Sequence, residues 1–190
     1  MTITLCNGKG GAGKTTTALL LAGILADAGY TVGVVDRDKQ QTATKCIDEI
    51  QPDGYSIAQA GQLYDIRIID TPPNIDAPEL INSIRESDIV IVVSSPSPAD
   101  LWTSRDTAEA VKRHKRKHTS ARLLFTQVHS NTILARDMDI MADHIGLKPL
   151  TNYLSYRQSY QHALLYGIKA LDTRAKEQLL LLALEIAGIK

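Results

Sequence analysis

Nine residues near the start of this chain, Gly8–Thr16 with the sequence GKGGAGKTT, constrain its fold more than any other stretch. Gly8, Gly13, Lys14 and Thr15 fill the pattern G-x-x-x-x-G-K-[ST]. The glycines let the backbone curl until several N–H groups point at one anion, with no Cβ to block close approach. A short β-prone run, Thr2–Cys6, precedes the loop, and a helical run, Thr16–Ala28, follows it. The helix N-terminus adds its partial positive charge at the same place. Gly8, Lys9, Gly10, Gly11, Ala12, Gly13, Lys14, Thr15 and Thr16 are therefore expected to cradle the phosphates of a nucleoside triphosphate. Lys14 would reach the β- and γ-phosphates, and the Thr15 hydroxyl would ligate Mg²⁺.

Short runs of Ile, Val and Leu alternate with helical patterns along the rest of the chain, which predicts a three-layer α/β fold with a mainly parallel sheet. Strands are expected at Thr2–Cys6, Thr31–Val35, Ile66–Ile69, Ile89–Val93 and Leu123–Phe125, with a weak one near Lys148–Asn152. Helices fit Lys14–Ala28, Gln41–Ile50, Pro78–Glu86, Ser104–Lys117, Thr132–Ile145, Arg157–Leu165 and Arg174–Ala187. Gly29, Gly146 and Gly167 stand where helices should stop. The segment 52–62 carries no clear pattern. Residues 1–190 read as a single domain. The carboxyl ends of the expected strands carry Asn7 and the phosphate loop, Asp36 and Asp38, Asp70-Thr71, Ser94-Ser95 and Thr126-Gln127. In a parallel sheet these ends share one rim, where such folds place their sites.

The net charge is zero, but it is unevenly spread. Residues 1–100 hold 7 basic and 13 acidic side chains, and residues 101–190 hold 14 and 8. A basic half on a neutral chain points to a local surface for a polyanion. Neither Cys6 nor Cys46 has metal-ligand spacing, so reduced structural thiols are expected. No signal peptide or membrane-spanning run is visible, and a cytoplasmic protein is expected.

KGGAGKTT (Lys9–Thr16), VVDRDKQQTA (Val34–Ala43), IIDTPP (Ile68–Pro73) and SSPSPADLW (Ser94–Trp102) together resemble the ParA family of deviant-Walker ATPases. Their order and spacing look most like the small plasmid-partition members. The likeness extends into Tyr156–Asp172 and so covers nearly the whole chain. The resemblance implies a homodimer that forms on ATP, with Lys9 crossing to the partner's nucleotide. It implies that Asp38 orients the attacking water and that Asp70 reaches Mg²⁺ through water. Asp36, nearer the strand end, suits either the Mg²⁺ shell or the holding of the loop. The catalytic set is then Lys9, Lys14 and Asp38, and the metal set Thr15, Asp36 and Asp70. The resemblance further implies slow hydrolysis, non-specific DNA binding by the dimer, nucleoid association and a ParB-like adaptor that accelerates turnover. One departure stands out: the family's usual Asp-Pro-Gln-Gly is here Asp38-Lys39-Gln40-Gln41, which frees φ at residue 39 and sets a cation beside Asp38.

Lys112, Arg113, Lys115, Arg116 and Lys117 supply five cations within seven residues and are the expected DNA contacts, with Arg157, Lys169, Arg174 and Lys176 as further cations of the same half. Binding DNA without sequence preference needs only phosphate contacts. The same cations would also serve as a solvated helix end that offsets the helix dipole. Four tyrosines, Tyr153, Tyr156, Tyr160 and Tyr166, crowd near Arg157 at helical spacing, which favours partial burial over a ligand contact. A MinD-like membrane role would want an amphipathic, cationic C-terminal helix. Leu179–Leu184 is apolar all round instead and reads as a packed helix. An organelle-positioning ATPase and a nucleotide switch with negligible hydrolysis fit the same residues.

Overall fold

Solid runs of branched residues suit strands covered on both faces, and side-chain alternation then assigns each residue to one layer. The computed structural model describes residues 1–189. Its strands are β1 Thr2–Cys6, β2 Val32–Asp36, β3 Tyr55–Ile57, β4 Ile66–Asp70, β5 Ile89–Ser94 and β6 Ser120–Phe125. Its helices are α1 Lys14–Asp27, α2 Thr42–Ile50, α3 Pro78–Glu86, α4 Pro98–His114, α5 Ile133–Arg136, α6 Met138–Ile145, α7 Gln158–Tyr166 and α8 Thr173–Ala187, with a 3-10 turn at Ile168–Ala170. The strands form one sheet in the order β3-β2-β4-β1-β5-β6, and every adjacent pair is parallel.

On one face, Ile3 and Leu5 of β1 and Ile89, Ile91 and Val93 of β5 pack with α1, α2, α7 and α8. On the other, Cys6, Val90 and Val92 pack with α3, α4 and α6. The expected three-layer α/β fold is the observed one. β1 lies at the centre, where α1 leads to β2 on one side and β5 pairs on the other. Such a reversal of strand order opens a crevice beyond the strand ends, and β1 delivers its loop there.

Several boundaries differ from the sequence reading. α4 begins at Pro98 rather than Ser104, with an extended Ser97 before a proline in the first turn, and it ends at His114. The expected helix 132–145 breaks at Asp137, whose φ of −92° and ψ of 9° separate α5 from α6. The patternless 52–62 segment contains the edge strand β3, paired only with β2. Lys148–Asn152 is not a strand but contributes one bridge, Pro149 to Leu123. Gly29, Gly146 and Gly167 take φ of 93°, 76° and 71° after their helices, as stops require. α8 buries Leu179 and Leu182 but leaves Leu180, Leu181 and Leu184 exposed, so it is packed on one side only. Among the described residues no helix is long and apolar enough to cross a membrane.

Candidate functional site

The Gly8–Thr16 loop is fixed from both sides by its protein neighbours. Asn7 donates through Nδ2 to the Val93 carbonyl (2.7 Å) and to Ser104 Oγ (3.0 Å), and its Oδ1 accepts the Lys9 N–H (2.8 Å). The Gly8 N–H donates to Thr107 Oγ1 of α4 at 3.0 Å. From the end of β6, Thr126 Oγ1 donates to the Ala12 carbonyl and Gln127 Nε2 to the Gly11 carbonyl, each at 2.8 Å. Gly11 and Gly13 adopt φ of 78° and 93°, and a Cβ on Gly8 would sit 2.7 Å from Ile75 Cγ2. Glycine is required at these places for conformation and for space.

The two lysines of the loop have different destinations. Lys14 is buried, and its Nζ donates to the Lys9 carbonyl at 3.1 Å. Burial pulls its pKa below the usual lysine value, with Asp70, Cys6 and Asp38 opposing that shift. Lys9 instead turns its half-exposed ammonium to Asp100 of α4, a buried carboxylate whose other oxygen accepts from Ser95 Oγ. Sequence reading noted Ser95 among the polar strand ends and quoted Asp100 within a motif, but gave Asp100 no role. Its partner is 91 residues away, beyond any local pattern.

Thr15 Oγ1 donates to Asp70 Oδ2 at 2.6 Å, while Asp70 Oδ1 is buried with no partner among the described residues. Burial pushes the Asp70 carboxyl up to about 6; Asp36 and Asp38 reinforce the shift, and the Thr15 hydroxyl and Lys14 oppose it. A hydroxyl and an under-satisfied carboxylate beside a phosphate cradle fit a Mg²⁺ ion that keeps most of its own water.

After β2, Asp36 Oδ1 accepts the Asp38 N–H (3.1 Å), and Oδ2 accepts the Thr44 N–H (2.9 Å) and hydroxyl (3.1 Å). Both oxygens are engaged, one by the loop and one by the start of α2, so of the two roles read for Asp36 its contacts serve the holding of that loop. Asp38 accepts the Gln40 N–H at 3.0 Å, and its charge acts on both Lys14 and Asp70. Gln41 closes the loop at φ 51°, a left-handed conformation in a residue with a side chain.

Beside Gly13 and Thr16 opens a cavity of about 180 Å³, also lined by Thr17, Gln127, Tyr156 and Arg157. Of these lining residues, Thr17 Oγ1 and Arg157 Nε are buried with no hydrogen-bond partner among the described residues. Of the crowded tyrosines, Tyr160 is buried and bonded to Gln178 Oε1 at 2.8 Å. Tyr156 is exposed and stacks on His129, and Tyr166 is exposed as well, so burial is less general than helical spacing suggested. The sequence signals for this cavity were the polar strand end Thr126-Gln127 beside the loop and the cluster of tyrosines around Arg157.

The basic cluster lies at the other end of the molecule. α4 leaves the carboxyl end of β5 and runs 17 residues, about 25 Å, to the start of β6, so residues 112–118 sit on the rim opposite the phosphate loop. Arg116 caps the end of α3 by donating to the Glu86 and Ser87 carbonyls (3.2 and 3.1 Å) and approaches Asp88. Lys115 donates to the Thr119 carbonyl at 3.0 Å. Lys112, Arg113 and Lys117 are exposed. Arg157 pairs with Asp172 at 3.8 Å.

Residues 3–170 match the family model of the CobQ/CobB/MinD/ParA nucleotide binding domain. The chain is 27% identical over 192 residues to maintenance of carboxysome distribution protein A of Halothiobacillus neapolitanus, covering 92% of this chain and 88% of that one. Its fold superposes on a plasmid partition protein of Borrelia burgdorferi bound to AMPPNP, with a TM-score of 0.79, 16% identity and 98% of each chain covered. It also superposes on pNOB8 ParA bound to nonspecific DNA, with a TM-score of 0.68, 15% identity, and 100% of this chain and 99% of that one covered.

Proposed function

This chain belongs to the CobQ/CobB/MinD/ParA nucleotide-binding domain family, and from that premise we propose that it is an ATP-driven positioning ATPase that dimerises on nucleotide. The observation that carries the proposal is the divergence of the two loop lysines. Lys14 lies in the cradle, whereas Lys9 stands at the rim with its ammonium outside it. One phosphate site needs one such lysine from its own loop, so a second whose ammonium lies outside the cradle suits a role toward a neighbour. Triphosphate charge drawn into a subunit interface demands compensation, and a cation given in trans supplies it only when nucleotide is bound. It would also stabilise charge developing on the transferred phosphoryl group.

In this reading Lys14 and the loop N–H groups hold the phosphates, and the base enters the cavity next to Thr17 and Arg157. Thr15 and Asp70 would hold Mg²⁺, which supplies charge neutralisation on the phosphate oxygens. Asp38 orients the attacking water. Turnover is slow because the arrangement is completed only across the dimer, and an adaptor protein accelerates it.

Lys112, Arg113 and Lys117 serve as the polyanion surface on the opposite rim, where pairing through the loop rims leaves them open. The DNA-bound structural neighbour supports such a surface in this fold. For the cargo, likeness to a carboxysome-distribution protein over 92% of the chain favours a protein compartment, and the plasmid-partition neighbour keeps DNA as the second reading.

Light scattering with ADP and with a non-hydrolysable ATP analogue tests the core of the proposal. The wild type should double its mass only with the analogue. Lys9→Ala should bind the analogue and stay monomeric. A monomeric wild type at saturating analogue would refute the reading.

A further inference from the structure

Arg37 stands between the two aspartates of the loop after β2, and its side chain parts from theirs. Asp36 bonds the start of α2, whereas Arg37 reaches α3 on the other face of the sheet. Its guanidinium donates to Ser83 Oγ at 2.8 Å and to the Glu79 carbonyl at 3.4 Å, and it pairs with Glu86. That end of the contact is itself fixed. Ser83 is fully buried, its hydroxyl donates to the Glu79 carbonyl, and its carbonyl accepts from Thr4 of β1 (3.3 Å) and Ser87 (2.7 Å). The Arg37 N–H donates to the Asp70 carbonyl at 2.9 Å, so the residue is tied at both its backbone and its tip.

Beyond Arg37 the chain makes a turn over residues 38–41. The Gln41 N–H closes it on the Asp38 carbonyl (2.9 Å), and the Gln40 N–H donates to Asp38 Oδ1 (3.0 Å). Lys39 holds the second position of that turn, where a proline would fix φ at about −65°. Lysine leaves φ free, so the turn lacks a stiffener of its own and Asp38 tilts with whatever anchors its base. Building on the reading that Asp38 orients the attacking water, we infer that Arg37, clasped by Ser83 and Glu86 of α3, is a positioning residue that sets the direction of Asp38 and thereby the rate of ATP hydrolysis.

Phosphoryl transfer draws most of its acceleration from placement and preorganised charge. A shift of about 1 Å caused by a residue outside the chemistry can cost as much as roughly 100-fold in rate. Among the described residues, the guanidinium of Arg37 spends its hydrogen bonds and its ion pair on α3. Its loss should therefore spare phosphate binding and act on the chemical step.

Single-turnover hydrolysis with enzyme in excess, run beside ADP calorimetry, tests this. Arg37→Ala should slow hydrolysis roughly tenfold while ADP affinity stays within about twofold. Glu86→Ala should slow it less, and adding it to Arg37→Ala should cost nothing more, because both break one contact. Arg37→Lys keeps a cation for Glu86 and should recover part of the rate. Lys39→Pro placed in Arg37→Ala should recover most of it, since proline stiffens the turn from within.

A wild-type rate in Arg37→Ala, an ADP affinity that falls in step with the rate, or no recovery from Lys39→Pro overturns the role of Arg37. Should Arg37→Ala fail to fold, a wild-type rate in Glu86→Ala overturns it. Asp38→Ala, measured in parallel, separates the two failures. If Asp38→Ala loses hydrolysis and Arg37→Ala does not, Asp38 keeps its role and only the clasp falls. If Asp38→Ala hydrolyses normally, the water-orienting reading fails and the role of Arg37 falls with it.

Discussion

Two loops leave the carboxyl edge of the sheet and open into helices in the same way, yet they are held by different means. Each ends in a left-handed residue just before its helix, Gly13 at φ 93° before α1 and Gln41 at φ 51° before α2. In the phosphate loop a glycine takes that conformation without steric cost, and β6 and α4 pin the rest through Thr126, Gln127 and Thr107. In the 37–41 loop a residue with a side chain takes it, and one carboxylate, Asp36, gathers three donors from the loop and the start of α2. A loop pinned from outside owes its shape to β6 and α4. The 37–41 loop is anchored from outside at one end only, where the Arg37 guanidinium donates to Ser83 Oγ and pairs with Glu86 of α3, while residues 38–41 hang on Asp36.

Asp70 joins the two loops and gives the largest expected effect. It accepts from Thr15 on one side, and its carbonyl accepts the Arg37 N–H on the other. Its carboxyl is pushed up to about 6 from an ordinary value of 3.8. A group with its folded pKa raised contributes stability that is complete below the unfolded value and is lost as pH rises through the folded one. The metal-free protein should therefore lose about 3 kcal/mol from this group between pH 3 and pH 7. Asp65, Asp172 and Glu185 are shifted downward and act with the opposite sign, so the comparison must be made against Asp70→Asn. Urea unfolding should show the variant gaining on the wild type across that window, and a constant gap would refute the shift. Mg²⁺ should close the gap at pH 7 by giving the ionised carboxylate a partner.

The comparison also shows what could be read from the chain alone. The phosphate loop was legible because its glycines and lysine are adjacent in sequence and its flanks have opposite periodicities. Pro78–Glu86 was read to the residue, since a proline in the first turn and a clear amphipathic pattern mark it. β3 was missed because three residues on an edge leave no alternation to detect. Leu180, Leu181 and Leu184 were read as packed because composition does not say which side of a helix has a neighbour. The hold of Asp100 on Lys9, and of Thr126 and Gln127 on the phosphate loop, depends on contacts 91 to 116 residues apart, which only the assembled sheet creates.

Asp36→Ala should sharpen the contrast between the loops. Removing a carboxylate that accepts helix-end donors costs about 1 to 2 kcal/mol, by analogy with lost helix caps. Thr44 and Asp38 would lose their acceptor, while none of the phosphate loop's hydrogen bonds involves Asp36. The urea midpoint should fall with an unchanged slope, and ADP affinity by calorimetry should move less than about threefold, roughly 0.6 kcal/mol. A collapse of ADP binding would show that the second loop supports the first. The pH transition assigned to Asp70 should also move down, because Asp36 is one of the charges that raise it.

The smallest effect is the most discriminating. Gln41→Gly removes the cost of a left-handed residue bearing a Cβ, about 1 kcal/mol, and adds the extra chain entropy glycine must lose, roughly 0.5 to 1 kcal/mol. Among the described residues the side chain of Gln41 makes no hydrogen bond, and its backbone bonds to the Asp38 carbonyl and the Lys45 N–H survive the change. The net gain should be no more than about 0.5 kcal/mol, visible as a small rise in the urea midpoint. A gain well above about 1 kcal/mol would mean the loop stores strain beyond the local backbone term. A loss would mean the glutamine is held by something other than Asp36 and the start of α2. Because Gly13 and Gln41 hold equivalent places before their helices, this result separates a loop shaped by backbone freedom from one shaped by a carboxylate.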